Sequence, residues 1–452
     1  MAGIFKAYDI RGLYPSQLDE DIARQIGLAF PHILTEEDLA QGRQVVVGRD
    51  MRSHSEPLVQ ALIEGLLDGG LDVLDIGLAT TPMNYFAVGY LGTAGGLQVT
   101  ASHNPARYNG IKLSRHGARP VSGDQGIPRL EQLVQSGELK PAEKRGEVQK
   151  GEIFEIYGNF LLSRLSRPEG ARRLKVVADA ANGMGTLYQP LLEQAGIDLI
   201  PLYFELDGTF PNHEANPLKL ENLRDLCAAV KEHGADLGVS FDGDGDRSAL
   251  VDEKGNAVGS DLTTALIAGE LLERDPGKAI VYDLRSSRAV AEYIEERGGR
   301  PIRERVGHSF IKATLRREDG LFGGELAGHY YFRDTYIADN SLLAVFEALN
   351  LLWKTGKPLS ELVAPLERYA KSEETNFQVE DKAGKIAELG QRYSDGQVDD
   401  LDGITVQYDD WWFNVRPSNT EPYLRLVAEA SNQELLDTKM AELMSLLGEP
   451  AD

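Results

Sequence analysis

Signals for β-strands and α-helices alternate along most of this chain, and the alternation repeats in three rounds. In the first round, strands are predicted at residues 44–48 and 71–76, with an amphipathic helix at 58–67 between them. The second round begins with a strand at 174–179 and the third with a strand at 279–283. Because strands that alternate with helices build layered α/β domains, we expect three related domains of this kind, with mixed sheets.

The end of the chain follows another pattern. Strands are predicted at 398–408, 411–415 and 423–427, and an amphipathic helix follows at 432–447. Strands grouped together before a helix are typical of an α+β domain. The predicted fold class is therefore α/β, with three related domains and a smaller C-terminal α+β domain.

The length of 452 residues also favours several domains, because a single hydrophobic core seldom serves so long a chain. Polar or turn-rich stretches at 140–150, 253–255 and 371–376 are candidate boundaries. The predicted domains are residues 1–148, 149–254, 255–370 and 371–452.

Composition excludes several classes of protein. Hydrophobic residues make up 42% and charged residues 26% of the chain, which is typical of a globular protein, and no apolar run has the roughly 18 residues of a spanning helix. The first residues lack the basic and then apolar pattern of a secretory signal, so we expect a cytoplasmic protein. Cys227 is the only cysteine, which excludes an internal disulfide and a multi-cysteine metal site.

The net charge of −24 comes from 71 acidic and 47 basic residues. Such a charge repels nucleic acid and anionic membranes, so neither is an expected partner. Solubility is the simpler explanation of the acidity. If the ligand is an anion, local groups of Arg and Lys have to overcome this field.

Ser102 lies in the run Thr100-Ala101-Ser102-His103-Asn104-Pro105, after a strand predicted at 96–100 that directly follows the strand at 71–76. Ligands of α/β sheets bind at the carboxyl ends of strands, so the hydroxyl is well placed for chemistry. His103 and Asn104 add hydrogen-bonding groups. The alternative is an ordinary Asn-Pro turn, and this segment alone favours neither interpretation.

Three aspartates, Asp242, Asp244 and Asp246, alternate with glycines after a strand at 237–241, and Arg247 follows them. Alternation in extended backbone would place the carboxylates on one side, and the glycines between them would let the backbone curl and bring the oxygens to one cation. Repulsion between the three carboxylates favours a bound divalent cation. An EF-hand is the competing pattern, but Arg247 occupies the position that requires glycine and strands flank the loop. Because three protein carboxylates leave positions for other oxygen ligands, Mg²⁺ is the predicted ion; a solvated acidic turn is the alternative.

Two further loops carry groups suited to a sugar phosphate. In residues 323–329, Glu325 can accept hydrogen bonds from vicinal hydroxyls and His329 can transfer a proton near neutral pH, although a glycine-rich turn with a surface Glu explains this loop equally well. In residues 416–422, the guanidinium of Arg416 stands beside several neutral donors, a composition that suits a phosphate dianion. The alternative there is a hairpin loop with two prolines.

Together these runs resemble the α-D-phosphohexomutase superfamily, most closely its bacterial phosphomannomutase/phosphoglucomutase branch. The resemblance covers the whole chain and also includes residues 5–12, 109–112, 179–185 and 307–309. It implies four domains around a central cleft, with one functional loop from each.

The resemblance also implies roles for individual residues. The implied catalytic residues are Arg11, Ser102, His103, Lys112, Arg247 and His329, with Ser102 carrying the phosphoryl group and Lys112 and His329 as candidates for proton transfer. The implied metal ligands are Ser102, Asp242, Asp244 and Asp246. The implied substrate-binding residues are Tyr8, Arg285, His308, Glu325, Ala327, Arg416, Ser418, Asn419 and Thr420.

The expected activity is interconversion of hexose 1-phosphate and hexose 6-phosphate, for mannose, glucose or both, with one Mg²⁺ per chain and a hexose 1,6-bisphosphate as intermediate and activator. Alternatives are a phosphoglucosamine mutase, a serine phosphomonoesterase and an inactive sugar-phosphate-binding protein. The expected partners are small sugar phosphates, and the chain is expected to be a monomer. Ala327 and Arg285 stand where relatives commonly have Ser and Lys, which leaves the preferred sugar open.

Overall fold

The computed structural model describes residues 3–123, 126–418 and 423–451. The chain divides into two compact units. The first unit is Met1–Ser260 with Leu321–Glu361, and the second is Asp261–Gly320 with Leu362–Asp452. Within the described residues, none of the helices combines the length and the apolar character that crossing a membrane requires.

The first unit begins with a mixed sheet in the order β1-β5-β4-β2-β3-β7, in which β6 also pairs with β5. Strand β2 is parallel to β3 and β4, whereas β5 is antiparallel to β4. The elements are β1 (Ile10–Leu13), α1 (Glu20–Ala29), α2 (Glu36–Leu39), β2 (Gln44–Arg49), α3 (Ser55–Asp68), β3 (Asp72–Leu78), α4 (Thr81–Leu91), β4 (Gly95–Val99), β5 (Tyr108–Arg115), β6 (Arg119–Pro120), α5 (Ile127–Ser136) and β7 (Val148–Lys150).

Helix α4 was not predicted between the strands at 71–76 and 96–100. All of its residues from Thr81 to Val88 are buried, so it lacks the polar face whose periodicity reveals a helix in a sequence. Its start is nevertheless well defined, because the Thr80 hydroxyl accepts a hydrogen bond from the Met83 N–H and Pro82 occupies the first turn. This helix begins beside the site described below.

A second sheet of the first unit has the order β12-β11-β10-β8-β9. Strand β8 is parallel to β9 and β10, and β11 is antiparallel to β10. The helix predicted around 188–195 is a short 3₁₀ turn, Met184–Tyr188, that continues into α7. The elements are α6 (Phe154–Leu162), β8 (Lys175–Asp179), α7 (Gln189–Gln194), β9 (Asp198–Leu202), α8 (Arg224–His233), β10 (Leu237–Phe241), β11 (Ser248–Val251) and β12 (Ala257–Val258).

The second unit contributes the strands and helices that follow, and β13 is parallel to β14. The Ser287 hydroxyl caps α10 by accepting a hydrogen bond from the Ala289 N–H. The elements are α9 (Ser260–Arg274), β13 (Ala279–Asp283), α10 (Arg288–Glu296), β14 (Arg300–Glu304) and α11 (His308–Arg317).

The chain then returns to the first unit with an antiparallel hairpin of β15 and β16, and β17 pairs with β16. Helix α12 follows and is buried along nearly its whole length. The elements are β15 (Phe322–Gly324), β16 (Tyr330–Phe332), β17 (Ala338–Asp339), α12 (Ser341–Thr355) and α13 (Leu359–Val363).

The C-terminal part of the second unit is an antiparallel sheet in the order β18-β23-β22-β21-β20, with β19 also paired to β23. One strand was predicted at 398–408, but two are present, because Asp399 accepts the Leu401 N–H in a tight turn and Gly403 has a φ of 67°. The elements are β18 (Ala370–Lys371), β19 (Thr375–Gln378), α14 (Lys382–Arg392), β20 (Gln397–Asp399), β21 (Ile404–Gln407), β22 (Trp411–Pro417), β23 (Tyr423–Ala430) and α15 (Gln433–Leu447).

Candidate active site

Ser102 follows the carboxyl end of β4, as the sequence predicted, and its backbone has a φ of 50°. The Ser102 N–H donates to the Thr100 hydroxyl at 2.9 Å, which holds this left-handed turn. The side chain is fully buried, and its Oγ donates to Asp242 Oδ2 at 2.7 Å. The serine hydroxyl is therefore directed at the aspartate loop.

Arg52, which the sequence analysis missed, holds the backbone of the serine loop. Its guanidinium donates to four carbonyl oxygens at 2.6–3.1 Å, those of Ser102, Asn104, Pro105 and Tyr108. Arg52 and its partner Asp50 both have side chains with no exposed surface. The sequence did contain a signal for Arg52: Asp50 and Arg52 follow directly after an apolar strand, β2. Charged residues at the carboxyl end of a buried strand often hold a nearby loop or ligand, because they are seldom buried unless they are paired.

The three aspartates come together through a tight turn: the backbone is not extended here, and it curls in the way that the intervening glycines predict. The Asp242 carboxylate accepts hydrogen bonds from the N–H groups of Asp246 and Arg247, at 3.0 and 3.2 Å, so the chain curls around it. Gly245 supplies a left-handed φ of 73°. One carboxylate oxygen from each of the three aspartates lies within 4.8 Å of the others. Strands β10 and β11 flank the loop, as predicted.

The aspartate loop carries three carboxylates and only one basic residue, Arg247. Burial and the neighbouring carboxylates of Asp246 and Asp244 raise the pKa of Asp242 well above its usual range. Burial alone would also raise the pKa of Asp246, but the positive charges nearby, that of Lys112 above all, outweigh it and lower that pKa to about 2. Two buried oxygens, Asp244 Oδ1 and Asp246 Oδ1, have no hydrogen-bond partner among the described residues. Unpaired buried carboxylate oxygens at this spacing could hold a divalent cation.

Lys112 lies on β5 and is the cation nearest to the aspartate loop. Its Nζ donates to Asp244 Oδ2 at 2.6 Å and to Asp246 Oδ2 at 2.5 Å. Burial lowers the pKa of Lys112, but the two carboxylates outweigh that effect and raise the pKa well above its usual range. Lys112 is thus held as an ammonium ion. The hydroxyl of Thr81, at the start of α4, also donates to Asp244 Oδ2 at 2.5 Å.

Arg247 and His329 are brought together by an isolated antiparallel bridge between their backbones. The Arg247 Nε donates to His329 Nε2 at 2.9 Å, while His329 Nδ1 lies 2.9 Å from Asp339 Oδ1. In the tautomer that accepts this hydrogen bond at Nε2, the proton is on Nδ1, which faces the Asp339 carboxylate. Asp339 is a second residue that the sequence analysis missed.

The Glu325 loop is a turn in which the Glu325 N–H donates to the His329 carbonyl and the Gly328 N–H donates to the Glu325 carbonyl, each at 3.0 Å. The Glu325 carboxylate is buried and accepts a hydrogen bond from the Tyr331 hydroxyl at 2.9 Å. Burial and the charges of Glu325 and Asp339 raise the pKa of Tyr331 well above its usual range, so the phenol remains a donor. Ala327 lies partly exposed in the same turn.

Arg11 and His103 lie beside the serine. Arg11 donates to Asp9 Oδ2 at 2.7 Å and to Asn104 Oδ1 at 2.6 Å, which ties β1 to the serine loop. His103 Nδ1 is 3.3 Å from Ser102 Oγ. Burial, with the positive charges of Arg247 and Arg11, lowers the pKa of His103 well below its usual range, so its ring is neutral.

In the second unit, Arg285 and Arg416 meet at one carboxylate. Arg416 is a residue of β22, not of the loop after it as predicted, and its NH2 donates to Glu374 Oε2 at 2.7 Å. Arg285 NH1 donates to the same oxygen at 3.3 Å. His308 begins α11 and Ser418 directly follows β22, while Tyr8 of the first unit precedes β1. Asn419 and Thr420 lie outside the described residues.

A buried serine hydroxyl, a cluster of three carboxylates, a lysine and an arginine–histidine pair form a group of residues suited to metal-assisted phosphoryl transfer. The chain matches four domain families in order: phosphoglucomutase/phosphomannomutase alpha/beta/alpha domain I at residues 2–140, domain II at 155–255, domain III at 259–369 and the C-terminal domain at 374–446. It belongs to the phosphoglucomutase/phosphomannomutase family. The predicted class of three α/β domains followed by a different C-terminal domain is confirmed.

Full-length relatives agree with this membership. The chain is 39% identical over 456 residues to a phosphomannomutase of Vibrio cholerae, with 98% of each chain covered. It is 38% identical over 448 residues to a protein of Xanthomonas campestris named phosphohexose mutases, again with 98% of each covered. The crystal structure of a phosphoglucomutase/phosphomannomutase family protein from Burkholderia thailandensis has a TM-score of 0.90 at 35% identity and covers 98% of this chain and 96% of that one.

Proposed function

We propose that this chain is a phosphohexomutase that interconverts hexose 1-phosphate and hexose 6-phosphate through a phosphorylated Ser102 and a hexose 1,6-bisphosphate intermediate. The observation that carries the proposal is the 2.7 Å contact of Ser102 Oγ with Asp242. A nucleophilic hydroxyl and a buried acidic cluster in direct contact are what phosphoryl transfer to and from serine requires. Full-length similarity to phosphomannomutases supports the same reaction.

Asp242, Asp244 and Asp246, together with an oxygen of the phosphorylated Ser102, would hold one Mg²⁺. When bound, the ion offsets negative charge on the transferring phosphoryl group. Asp244 Oδ1 and Asp246 Oδ1, buried oxygens for which the described part of the chain supplies no hydrogen-bond partner, support this assignment, because hard oxygen donors are the ligands Mg²⁺ prefers.

In the first transfer, a free hydroxyl of the sugar phosphate attacks the phosphorus of phosphoserine 102. The new bond joins the sugar oxygen to phosphorus, the bond to Ser102 Oγ breaks, and the proton lost by the sugar hydroxyl is replaced by one gained at Ser102 Oγ. The second transfer reverses these changes with the other phosphate of the bisphosphate, so Ser102 is phosphorylated again and the net reaction is isomerisation. Arg247, which follows the aspartates directly, would offset charge on the transferring group.

Three groups are candidates for moving the proton. His103 is neutral and its Nδ1 lies 3.3 Å from Ser102 Oγ, so it can accept the serine proton and return it. His329 is oriented by Asp339, whose Oδ1 lies 2.9 Å from its Nδ1. Lys112 is held protonated by Asp244 and Asp246, so its ammonium group can stabilise an oxyanion, and proton donation would require those two carboxylates to be engaged elsewhere, as in metal binding.

The phosphate that does not react would bind Arg285, Arg416 and Ser418, with Asn419 and Thr420, and Glu325 would accept hydrogen bonds from sugar hydroxyls. Tyr8, His308 and Ala327 are proposed as further substrate contacts, and Arg11 would hold the serine loop. Mannose and glucose phosphates are the proposed substrates, with glucosamine phosphate as the alternative. A cytoplasmic location, a monomeric state and activation by a 1,6-bisphosphate remain predictions.

The reaction is tested by phosphorus NMR of the purified chain with Mg²⁺, mannose or glucose 1-phosphate, and a trace of the matching 1,6-bisphosphate. The expected product is the 6-phosphate. Release of inorganic phosphate without any 6-phosphate would identify a phosphomonoesterase and refute the mutase. Comparing kcat/KM for mannose, glucose and glucosamine 1-phosphates then ranks the sugars.

The nucleophile is tested by Ser102→Ala, which should reduce turnover by several orders of magnitude. Ser114→Ala is a matched control and should leave turnover near normal. Ser114 is also a fully buried serine, but it lies on β5, where its hydroxyl donates a hydrogen bond to the Gly96 carbonyl. Near-normal turnover of Ser102→Ala would refute the assignment.

A further inference from the structure

One carboxylate in the second unit serves three arginines. Glu374 Oε2 accepts hydrogen bonds from Arg416 at 2.7 Å and from Arg285 at 3.3 Å, and Glu374 Oε1 lies 3.4 Å from Arg425 NH1. Burial raises the pKa of Glu374, but Arg285 and Arg416 outweigh it and the pKa is lowered, so the carboxylate is ionised. Of this group, the sequence predicted Arg416 as a phosphate-binding residue and Arg285 as a substrate-binding residue.

Two of these arginines oppose each other directly. Arg416 of β22 pairs with Arg425 of β23 across the antiparallel ladder. Like charges at opposed positions destabilise a sheet, so a negative group is needed between them. Glu374 supplies it with one oxygen on each arginine.

The three arginines differ in the carboxylates that they contact. Arg285 also has a second carboxylate, because its Nε donates to Asp283 at 2.9 Å and its NH2 donates to the same side chain. Glu374 is the carboxylate that Arg416 and Arg425 share. Asp402 is a further carboxylate near Arg416; it accepts the Val306 N–H at 3.2 Å, and burial raises its pKa while the charge of Arg416 lowers it.

Arg416 also retains donor capacity. Its side chain is 2% exposed, and its Nε has no hydrogen-bond partner among the described residues. A buried guanidinium with an unused N–H requires an acceptor. Phosphate oxygens accept from guanidinium groups at about the same 2.7–2.9 Å as carboxylate oxygens do.

We propose that Glu374 is an internal counter-ion of the phosphate-binding arginines: it occupies the guanidinium groups of Arg416, Arg425 and Arg285, and a substrate phosphate competes with it for them. This inference rests on the proposed function for the identity of the ligand. It assigns two residues, Glu374 and Arg425, that sequence motifs did not indicate. Glu374 is a positioning residue, and its charge sets how tightly the arginines take up phosphate.

The experiment measures the melting temperature of the full chain as a function of inorganic phosphate concentration. Glu374→Gln keeps the size of the side chain and removes its charge. We expect a lower melting temperature without phosphate and a half-maximal phosphate concentration lower by at least about fivefold, the small end of usual couplings between sites. Glu373→Gln is the matched control, since Glu373 is the neighbouring carboxylate and is exposed, and its phosphate titration should equal that of the wild type.

Two results would overturn the proposal. One is a Glu374→Gln melting temperature that falls while the half-maximal phosphate concentration stays unchanged, which would make Glu374 only a structural ion pair. The other is a phosphate effect of Glu374→Gln that persists in an Arg416→Gln background, because a double-mutant cycle should remove it if both residues act at one site. If Glu374→Gln does not fold, Glu374→Asp, which keeps the charge on a shorter side chain, should shift the phosphate titration in the same direction by less.

Phosphate binding requires no turnover, so the two proposals fail separately. A chain that shows the Glu374-dependent phosphate titration but forms no hexose 6-phosphate would refute the mutase and leave the counter-ion intact. If the chain has mutase activity but Glu374→Gln shows the same phosphate titration as the wild type, the counter-ion proposal is refuted and the mutase proposal stands.

Discussion

Gly243 lies against the backbone of Ser102 so closely that a Cβ on Gly243 would sit 2.2 Å from the Ser102 carbonyl oxygen. No real Cβ approaches backbone to that distance, so a side chain here would move one loop away from the other. On the other side of Gly243, its carbonyl accepts the Met184 N–H at 2.9 Å. The aspartate loop is therefore held between the serine loop and the 180–184 turn. Only a residue without a side chain, Gly243, allows the aspartate loop to lie this close to the serine loop.

Gly243→Ala should reduce kcat by about 100-fold, because a displacement near 1 Å of reacting groups can cost that much. Steady-state kinetics with saturating Mg²⁺ and sugar phosphate measure the effect. Gly390→Ala is the control: it lies in α14, where an added Cβ meets only the end of the Ile404 side chain, and alanine favours a helix. Equal kcat values for the two variants would contradict the close approach at Ser102.

Arg52→Lys should lower both kcat and the melting temperature. A lysine keeps the positive charge, but its ammonium cannot reach four carbonyl oxygens with the planar donor geometry of a guanidinium. Each buried carbonyl left without a donor costs about 1–3 kcal/mol, and the serine loop loses its position. Since Arg52 acts on the loop and not on the substrate, kcat should fall more than KM rises.

The control for this variant is Arg43→Lys, in which a single hydrogen bond to the Gly70 carbonyl is affected. A KM increase with unchanged kcat in Arg52→Lys would show that Arg52 serves substrate binding, contrary to the role assigned here.

How much the sequence could predict depended on whether a signal was local. Ser102, the three aspartates and Glu325 were found because each lies in a short run with unusual composition. Arg52 and Asp339 were missed because neither lies in the short run that it serves: Arg52 is distant in sequence from the serine loop, and Asp339 lies outside the run that contains His329. Glu374 was missed for the same reason, since nothing near it in the sequence indicates the opposed arginines of β22 and β23.

The fold showed the same division. Strands and amphipathic helices with clear periodicity were predicted, whereas the fully buried helix α4 and the turn that splits residues 397–407 into two strands were not. In both cases the deciding interactions are tertiary: burial on all sides for α4, and the close passage of Gly403 against Val415 and Arg416 for the turn.

Asp244→Asn should raise the Mg²⁺ concentration required for half-maximal activity by at least about tenfold, the small end of losses seen when metal sites are perturbed. The amide keeps an acceptor for Thr81 and the shape of the side chain but removes one of three charges that would hold the ion. The shift is measured by titrating Mg²⁺ and following both the activity and the melting temperature. Asp400→Asn, at an exposed position, is the control, and an unchanged titration in Asp244→Asn would refute the metal site.

His213 should make the stability of the first unit depend on pH. Burial lowers the pKa of His213, but its hydrogen bond to Asp179 at 2.9 Å and the charge of Asp179 outweigh burial and raise that pKa. A raised histidine pKa stabilises the fold fully below the unfolded value, near 6.5, and the contribution is lost as pH rises through the folded value.

The loop that His213 anchors also packs on the serine-loop arginine, because a Cβ on Gly208 would lie 2.7 Å from Arg52 Cα and the Phe210 ring lies 5.0 Å from the Arg52 guanidinium. His213→Asn should therefore lower the melting temperature more at pH 6 than at pH 9, by an amount equivalent to roughly 1.5–3 kcal/mol for a hydrogen bond with a charged partner. His233→Asn, on an exposed side chain at the end of α8, should show no such difference. An equal loss for His213→Asn at both pH values would mean that the imidazole stabilises the loop by packing and not by its charge.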